Sequence, residues 1–240
     1  MQTPMNLILD IGNTNAKIGL FENADLKQKI NEITPTELQN TIQKFSIDRA
    51  IVSNVGKSID PFHKSLITLK VITLSHRTPL PIHIKYDTPE TLGHDRIAAA
   101  CGAHFLFPDQ PCLIIDCGTC ITYDVVTANG TYLGGAISPG LQMRLESLNT
   151  FTSNLPLVSV EENIRMVGKS TKQSIQSGVV HGILGEMEVF IHRFSEAFQP
   201  LKVVMCGGDT YFFENKVKAR IFAAPELVLR GLNRILQHNA

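Results

Sequence analysis

Apolar runs that stop abruptly at an acidic residue occur twice in this chain. Leu7-Ile8-Leu9 runs into Asp10-Ile11-Gly12-Asn13-Thr14, and Leu113-Ile114-Ile115 runs into Asp116-Cys117-Gly118-Thr119-Cys120. Each copy reads as a buried strand ending in a tight turn. The pattern around the first copy predicts a hairpin of Asn6 to Asp10 with Lys17 to Phe21, and a further strand at Arg49 to Ser53. Around the second it predicts strands at Leu113 to Asp116, Thr122 to Thr127, Thr131 to Ile137 and Lys202 to Cys206, with Asn129-Gly130 as a hairpin turn. Thr34-Pro35-Thr36-Glu37 carries a capping threonine, a proline at the first helical position and a glutamate three residues on, which predicts a helix start. Helices are also expected over Arg96 to Phe107, Thr171 to Phe198 and Pro225 to Leu236, and Thr88-Pro89-Glu90 reads as a turn or short helical start. The cluster Gly134-Gly135-Ala136-Ile137-Ser138-Pro139-Gly140 is expected to break a strand. Each half thus runs strands first and helices after, and Phe107-Pro108-Asp109-Gln110-Pro111 is the expected boundary, dividing the chain into 1–111 and 112–240.

The two acidic turns are the chief chemical candidates. Glycine lets backbone close on a phosphate, the following hydroxyls and amides donate hydrogen bonds, and the aspartate can hold a cation or a water beside that phosphate. A single Asp-x-Gly after a strand is usually only a turn. Two of them, with Asn13, Thr14 and Lys17 after the first and Thr119, Thr122 and Asp124 after the second, point to a duplicated fold gripping a nucleotide between its halves. Between them lies Gly93-His94-Asp95-Arg96, leading into Ala98-Ala99-Ala100. Asp95 and Arg96 read either as a helix cap with a solvated ion pair or as a general base beside a group that orients substrate or balances charge.

Other motifs fall away. Gly56-Lys57-Ser58 and Gly168-Lys169-Ser170 resemble the end of a P-loop, yet the glycine that such a loop needs five positions earlier is replaced by Ile51 and Asn163. No two glycines stand two positions apart, so a dinucleotide fingerprint is missing. Cys117-Gly118-Thr119-Cys120 has redox spacing but lies inside the second acidic turn, and the scattered histidines lack zinc-ligand spacing. Gly207-Gly208-Asp209 follows a strand and offers bare backbone on which an adenosine can lie.

Bulk properties narrow the picture further. At 240 residues, with 43% hydrophobic and 18% charged residues, the chain can bury a large core in one domain or two. Its 22 basic and 22 acidic residues cancel and form no basic block, which speaks against nucleic acid as a partner. Neither a signal peptide nor a membrane-length apolar run is visible, so no membrane is expected. An odd count of five cysteines favours reduced thiols in the cytoplasm.

Taken in order, these residues resemble one family. Paired Asp-x-Gly turns on duplicated halves are similar to those of the actin-like superfamily of ATPases and kinases. Within it, the chain resembles the type III pantothenate kinases through Asp10-x-Gly12-Asn13-Thr14-x-x-Lys17, Gly93-x-Asp95-Arg96, Asp116-x-Gly118-Thr119-x-x-Thr122-x-Asp124, Gly134-Gly135-x-Ile137-x-Pro139-Gly140, Leu155-Pro156, Gly168-x-Ser170-Thr171 with Gly178 beyond, and Gly207-Gly208-Asp209. The resemblance implies an α/β fold of duplicated actin-like (ribonuclease H-like) domains, with mixed sheets flanked by helices and the nucleotide in the cleft between them. It implies ATP-dependent phosphorylation of pantothenate in coenzyme A biosynthesis, with Asp95 as catalytic base. Asp10, Gly12, Asn13, Thr14, Lys17, Gly118, Thr119, Gly207 and Gly208 are then the ATP contacts, with Asp10 in the magnesium region. Asp116 is the matching position for a monovalent cation, potassium or ammonium. Tyr86, Gly93, Asp95, Arg96 and Thr171 are the pantothenate candidates, near the interface of a homodimer in which Thr171 serves the neighbouring subunit. Cys120 stands where the family usually has alanine or threonine. Rival readings are another small-metabolite kinase of the superfamily, a non-catalytic regulator, and a filament-forming actin relative.

Overall fold

The structure is a computed structural model that describes residues 4–12, 16–54 and 60–240. The chain gathers into two compact units. One comprises the chain up to Pro108 with Gly130–Tyr132 and Glu226–Ala240, the other Asp109–Asn129 with Leu133–Pro225.

The first unit is built on β1 (Met5–Ile11), β2 (Ala16–Glu22), β3 (Asp25–Ile30), β4 (Ile47–Asn54) and β5 (Lys70–Thr73), in the spatial order β3-β2-β1-β4-β5. The hairpin strands β1, β2 and β3 are antiparallel, whereas β4 and β5 run parallel to β1. Leu7, Ile8 and Leu9 are fully buried, because β1 is the central strand and has both faces covered. Between β3 and β4 lies α1 (Pro35–Lys44), which starts as expected: the Thr34 hydroxyl accepts from Glu37 N at 3.3 Å and the Glu37 carboxylate accepts from Thr34 N at 2.9 Å. α2 (Asp60–Leu66) precedes β5. A short strand β6 (His83–Ile84) and one 3₁₀ turn (Pro89–Thr91) lead to α3 (His94–Leu106).

The second unit repeats the order. Its strands are β7 (Cys112–Cys117), β8 (Cys120–Val126), β9 (Thr131–Pro139), β10 (Lys202–Cys206) and β11 (Ile221–Ala223). They are arranged β11-β10-β7-β8-β9, with β6 pairing parallel to β9 as a sixth, edge strand, β7 and β8 antiparallel, and β7, β10 and β11 parallel. β7 thus holds the position of β1, and both acidic residues end a central strand. The helices of this unit are α4 (Leu141–Thr150), α5 (Thr171–Ala197) and α6 (Thr210–Phe213). Its core joins Leu113, Ile115, Tyr123 and Val125 of the sheet to Ile175, Val179, Ile183 and Met187 of α5.

Two findings depart from the sequence reading. The cluster Gly134 to Gly140 does not break a strand, since β9 is continuous through Pro139. Gly134 has φ +91°, and a side chain at Gly135 would place its Cβ 1.7 Å from Tyr123 O, so these glycines let the strand bend and lie against its neighbour. The last helix, α7 (Leu227–His238), groups with the first unit, whereas the sequence reading placed it in 112–240. It meets α3 backbone to backbone: a Cβ on Gly231 would stand 1.7 Å from Ala98 O, and one on Gly102 would stand 2.6 Å from Leu227 O. The alanine run of α3 is the counterpart of this approach, with Ala98, Ala99, Ala100 and Ala103 all buried. No helix among the described residues is long and apolar enough to cross a membrane.

Candidate active site

The first acidic turn is set by the β1–β2 register. Asp10 pairs with Lys17 across the hairpin, and Lys17 Nζ lies 3.1 Å from the Asp10 carboxylate. Asp10 is only 5% exposed, and a buried carboxylate requires such a partner. On its other side Asp10 registers with Ser53 of β4. Ser53 is fully buried, and its hydroxyl has no hydrogen-bond partner among the described residues. Leaving such a group unsatisfied costs about 1–3 kcal/mol. Asn13 and Thr14 lie outside the described residues.

A second group forms at the head of α3. Gly93 caps the helix, and a Cβ there would press on the Asp95 carboxylate at 2.5 Å. Asp95 is half-buried, and its Oδ1 accepts from Arg96 N at 2.8 Å. Arg96 is not a solvated partner: it is 7% exposed, with its guanidinium 5.9 Å from the centre of the Tyr86 ring. Tyr86 in turn sits 6.2 Å from Tyr132. Tyr86, Gly93, Asp95 and Arg96 therefore come together in the first unit.

In the second unit three glycine segments converge on the acidic turn. Gly118 N donates to Cys120 O at 3.0 Å, which closes the turn. Gly207, at φ +92°, leaves no room for a side chain, since its Cβ would lie 2.4 Å from Asp116 Oδ1 and from Cys117 O. Asp209 N donates to Cys117 O at 2.9 Å, and the Thr210 hydroxyl donates to Gly207 O at 2.8 Å. Gly140 packs on the same turn: its N donates to Thr119 O at 3.1 Å, and a Cβ would meet Gly118 O at 2.3 Å. Gly208 is exposed, with open space where a Cβ would be. Thr171 opens α5 and is also exposed, after the Ser170 cap.

Electrostatics separate the acidic groups from the thiols. Burial raises the Asp209 carboxyl. Burial, with Asp116 and Asp209 adding to it, pushes the Cys117 thiol far above its ordinary value. A thiol so protonated is a poor nucleophile, which argues against a redox role for the Cys117–Cys120 pair. All five cysteines are free thiols.

One network was not visible in the sequence. The Glu186 carboxylate on α5 accepts from Tyr123 Oη at 2.8 Å, from Ser138 Oγ at 3.0 Å and from Arg144 Nη2 at 2.7 Å. Arg144 Nε also donates to Pro139 O at 2.8 Å. These bonds fix the segment that carries Gly140 onto the second turn. Ser53 was overlooked too, although the change from Ile51-Val52 to a polar residue at a strand end marks it. A cavity of about 640 Å³ lined by Glu161, Arg165, Gln176, His181 and Lys216 contains none of the expected site residues.

Among the described residues no group of three His, Cys, Asp or Glu side chains could hold a metal by itself. One buried carboxylate beside an orphaned hydroxyl fits magnesium, which binds one or two carboxylates along with phosphates and retains several waters. The Asp116 carboxylate and the Cys117 carbonyl both lie against Gly207, oxygen donors of the kind a hard cation takes.

The family model of type III pantothenate kinases matches residues 6–193. The chain is 41% identical to the type III pantothenate kinase of Phocaeicola vulgatus, over 98% of this chain and 99% of that protein. It is 43% identical to the one from Bacteroides fragilis, over 98% of both. Among solved structures, a Campylobacter jejuni protein named for the Baf family of transcriptional activators aligns with a TM-score of 0.62 at 22% identity, covering 97% of this chain and 98% of that one. A ROK hexokinase from Thermus thermophilus aligns at 0.54 with 14% identity, covering 98% and 99%. These structural likenesses concern the fold, which is that of the duplicated actin-like proteins. With the family model spanning most of its length and relatives above 40% identity covering 98% of it, this chain belongs to the type III pantothenate kinase family.

Proposed function

We propose that the chain transfers a phosphoryl group from ATP to the primary hydroxyl of pantothenate, giving 4'-phosphopantothenate, the first step of coenzyme A biosynthesis. The observation that carries this reading is the head of α3, where Asp95 stands half-buried beside a buried Arg96 in a chain of this family. Phosphoryl transfer asks a protein mainly for positioning and charge neutralisation. Asp95 accepts the hydroxyl proton as the oxygen attacks in line. Arg96 and Tyr86 orient the acceptor, with Gly93 keeping the approach to Asp95 open, and Thr171 contributes to the pocket of the neighbouring subunit in a homodimer. Lys17, Gly12, Asn13, Thr14, Gly118 and Thr119 steady the phosphate chain, while Gly207 and Gly208 offer bare backbone to the adenosine. Asp10 would hold magnesium, directly or through water, and Asp116 would hold potassium or ammonium. When bound, magnesium neutralises charge on the phosphate oxygens. The exposed apolar side chains Ile137, Phe151, Met166, Val167 and Val189 of the second unit supply surface for a second copy. The substrates are small cytoplasmic metabolites, and we assign the protein to that compartment.

The test is ADP release from magnesium ATP with and without pantothenate, in potassium and in sodium buffer, on material whose mass is measured by sedimentation equilibrium. Pantothenate-dependent release that is faster in potassium, from a species of twice the chain mass, is expected. Release that ignores pantothenate but follows a sugar would identify a different kinase. No release in either buffer, even with ammonium added, would overturn the catalytic reading.

A further inference from the structure

Lys17 of β2, Asp10 of β1 and Ser53 of β4 are paired in register across three adjacent strands. Residues in register project from the same face of a sheet, so these three form one polar row. The row two residues earlier on that face is Gly19, Ile8 and Ile51, all buried and apolar. The polar row therefore closes an apolar face at the end of the central strand, and each member differs in what it already binds. Lys17 and Asp10 form an ion pair at 3.1 Å. Ser53, wholly buried, has a hydroxyl with no partner among the described residues. A valine or alanine would fill such a strand position with no desolvated hydroxyl to satisfy, so the serine offers its hydroxyl to a group outside the described residues. Strands stand about 4.8 Å apart, a spacing that one water can bridge between a hydroxyl and a carboxylate.

We propose that Ser53 is a positioning residue for the divalent cation at Asp10, its hydroxyl accepting a hydrogen bond from a water of the cation's shell. This inference rests on the kinase reading given above. Magnesium keeps several of its waters when it binds to one carboxylate and to phosphates. A neutral hydroxyl next to that carboxylate can hold such a water without adding charge. Outer groups of this kind typically change metal affinity by 10- to 100-fold. The same geometry makes a distinctive statement about the protein without nucleotide or metal: among the described residues its Ser53 hydroxyl has no partner, so removing it is expected to relieve a burden in that state.

The experiment compares the full-length chain with Ser53→Ala in two measurements. Thermal unfolding without ligand is expected to give a midpoint for Ser53→Ala equal to or above that of the unsubstituted chain. Manganese affinity, followed by electron paramagnetic resonance with a non-hydrolysable ATP analogue, is expected to fall about 10-fold. A lowered midpoint with unchanged manganese affinity would overturn the proposal and make Ser53 a structural hydroxyl. Unchanged values in both measurements would overturn it equally. Pantothenate-dependent ADP release by the unsubstituted chain checks the underlying reading separately, so a failure confined to the Ser53→Ala comparison counts against this inference alone.

Discussion

Asp95 and Arg96 differ in how each side chain is held, although they are neighbours in sequence. Arg96 is buried against Tyr86, whereas Asp95 is half-buried and bonded through Oδ1 to a single backbone amide. Substituting Asp95→Asn keeps the size and the acceptor oxygen while removing the carboxylate proposed as the base. The expected result is an unfolding midpoint within about 1 °C or so of the unsubstituted chain and a kcat lower by about 10²- to 10⁴-fold. Steady-state kinetics alongside a thermal melt would check it, and near-normal kcat would remove Asp95 from the role. At this scale the sequence was informative where a residue's chemistry is local. The acidic turns, Lys17 and the Gly93-to-Arg96 run could be read from their neighbours. Arg144 and Glu186 could not, because their meaning comes from partners brought together by helix and strand packing, and Ser53 is marked only by the polar end of its strand while its register beside Asp10 is not.

Among the elements, the α3–α7 contact has the most demanding geometry. Gly231 lies in a helix, and replacing a helical glycine by alanine normally gains up to about 1 kcal/mol. Here the added methyl would stand 1.7 Å from Ala98 O, so the helices must separate. Overpacking of this kind costs about 1–3 kcal/mol or more, and it exceeds the propensity gain. Gly231→Ala is therefore expected to destabilise the chain, seen as a lower urea midpoint, and an unchanged or higher midpoint would contradict the contact. Elements with strong local signals were legible, as at α1 with its capping box and in the long helix α5. β3 was not, since five of its six residues read Asp25-Leu26-Lys27-Gln28-Lys29, an exposed edge pattern that lacks an apolar face. α4 was missed because it follows Gly140 with neither a side-chain cap nor an acidic residue in its first turn.

At the scale of the whole molecule, the duplication announced by two similar turns is matched by two sheets that share a five-strand order about a central acidic strand, one of them extended at its edge by β6. The division of the chain was harder to read, because α7 returns to the first unit across the entire length of the second. In the second unit, burial tends to raise the Glu186 carboxyl, but its bonds from Arg144, Tyr123 and Ser138 outweigh that and hold it below its ordinary value of 4.5. A depressed carboxyl stabilises the folded state above its unfolded pKa, and that contribution is lost as the pH falls through the lower folded value. Glu186→Gln should thus be less stable than the unsubstituted chain near neutrality. The gap should narrow as the pH is taken below about 4.5, as thermal melts across the acid range would show. A gap that stays constant would mean the charge of Glu186 is immaterial. The return of α7 also bears on how the molecule is made. Gly231 must reach Ala98 before the helix over the first acidic turn's sheet is seated, yet it leaves the ribosome after every strand of the second unit. During synthesis the half that emerges first is the half completed last, with Asp95 on α3 waiting for a helix still to be translated.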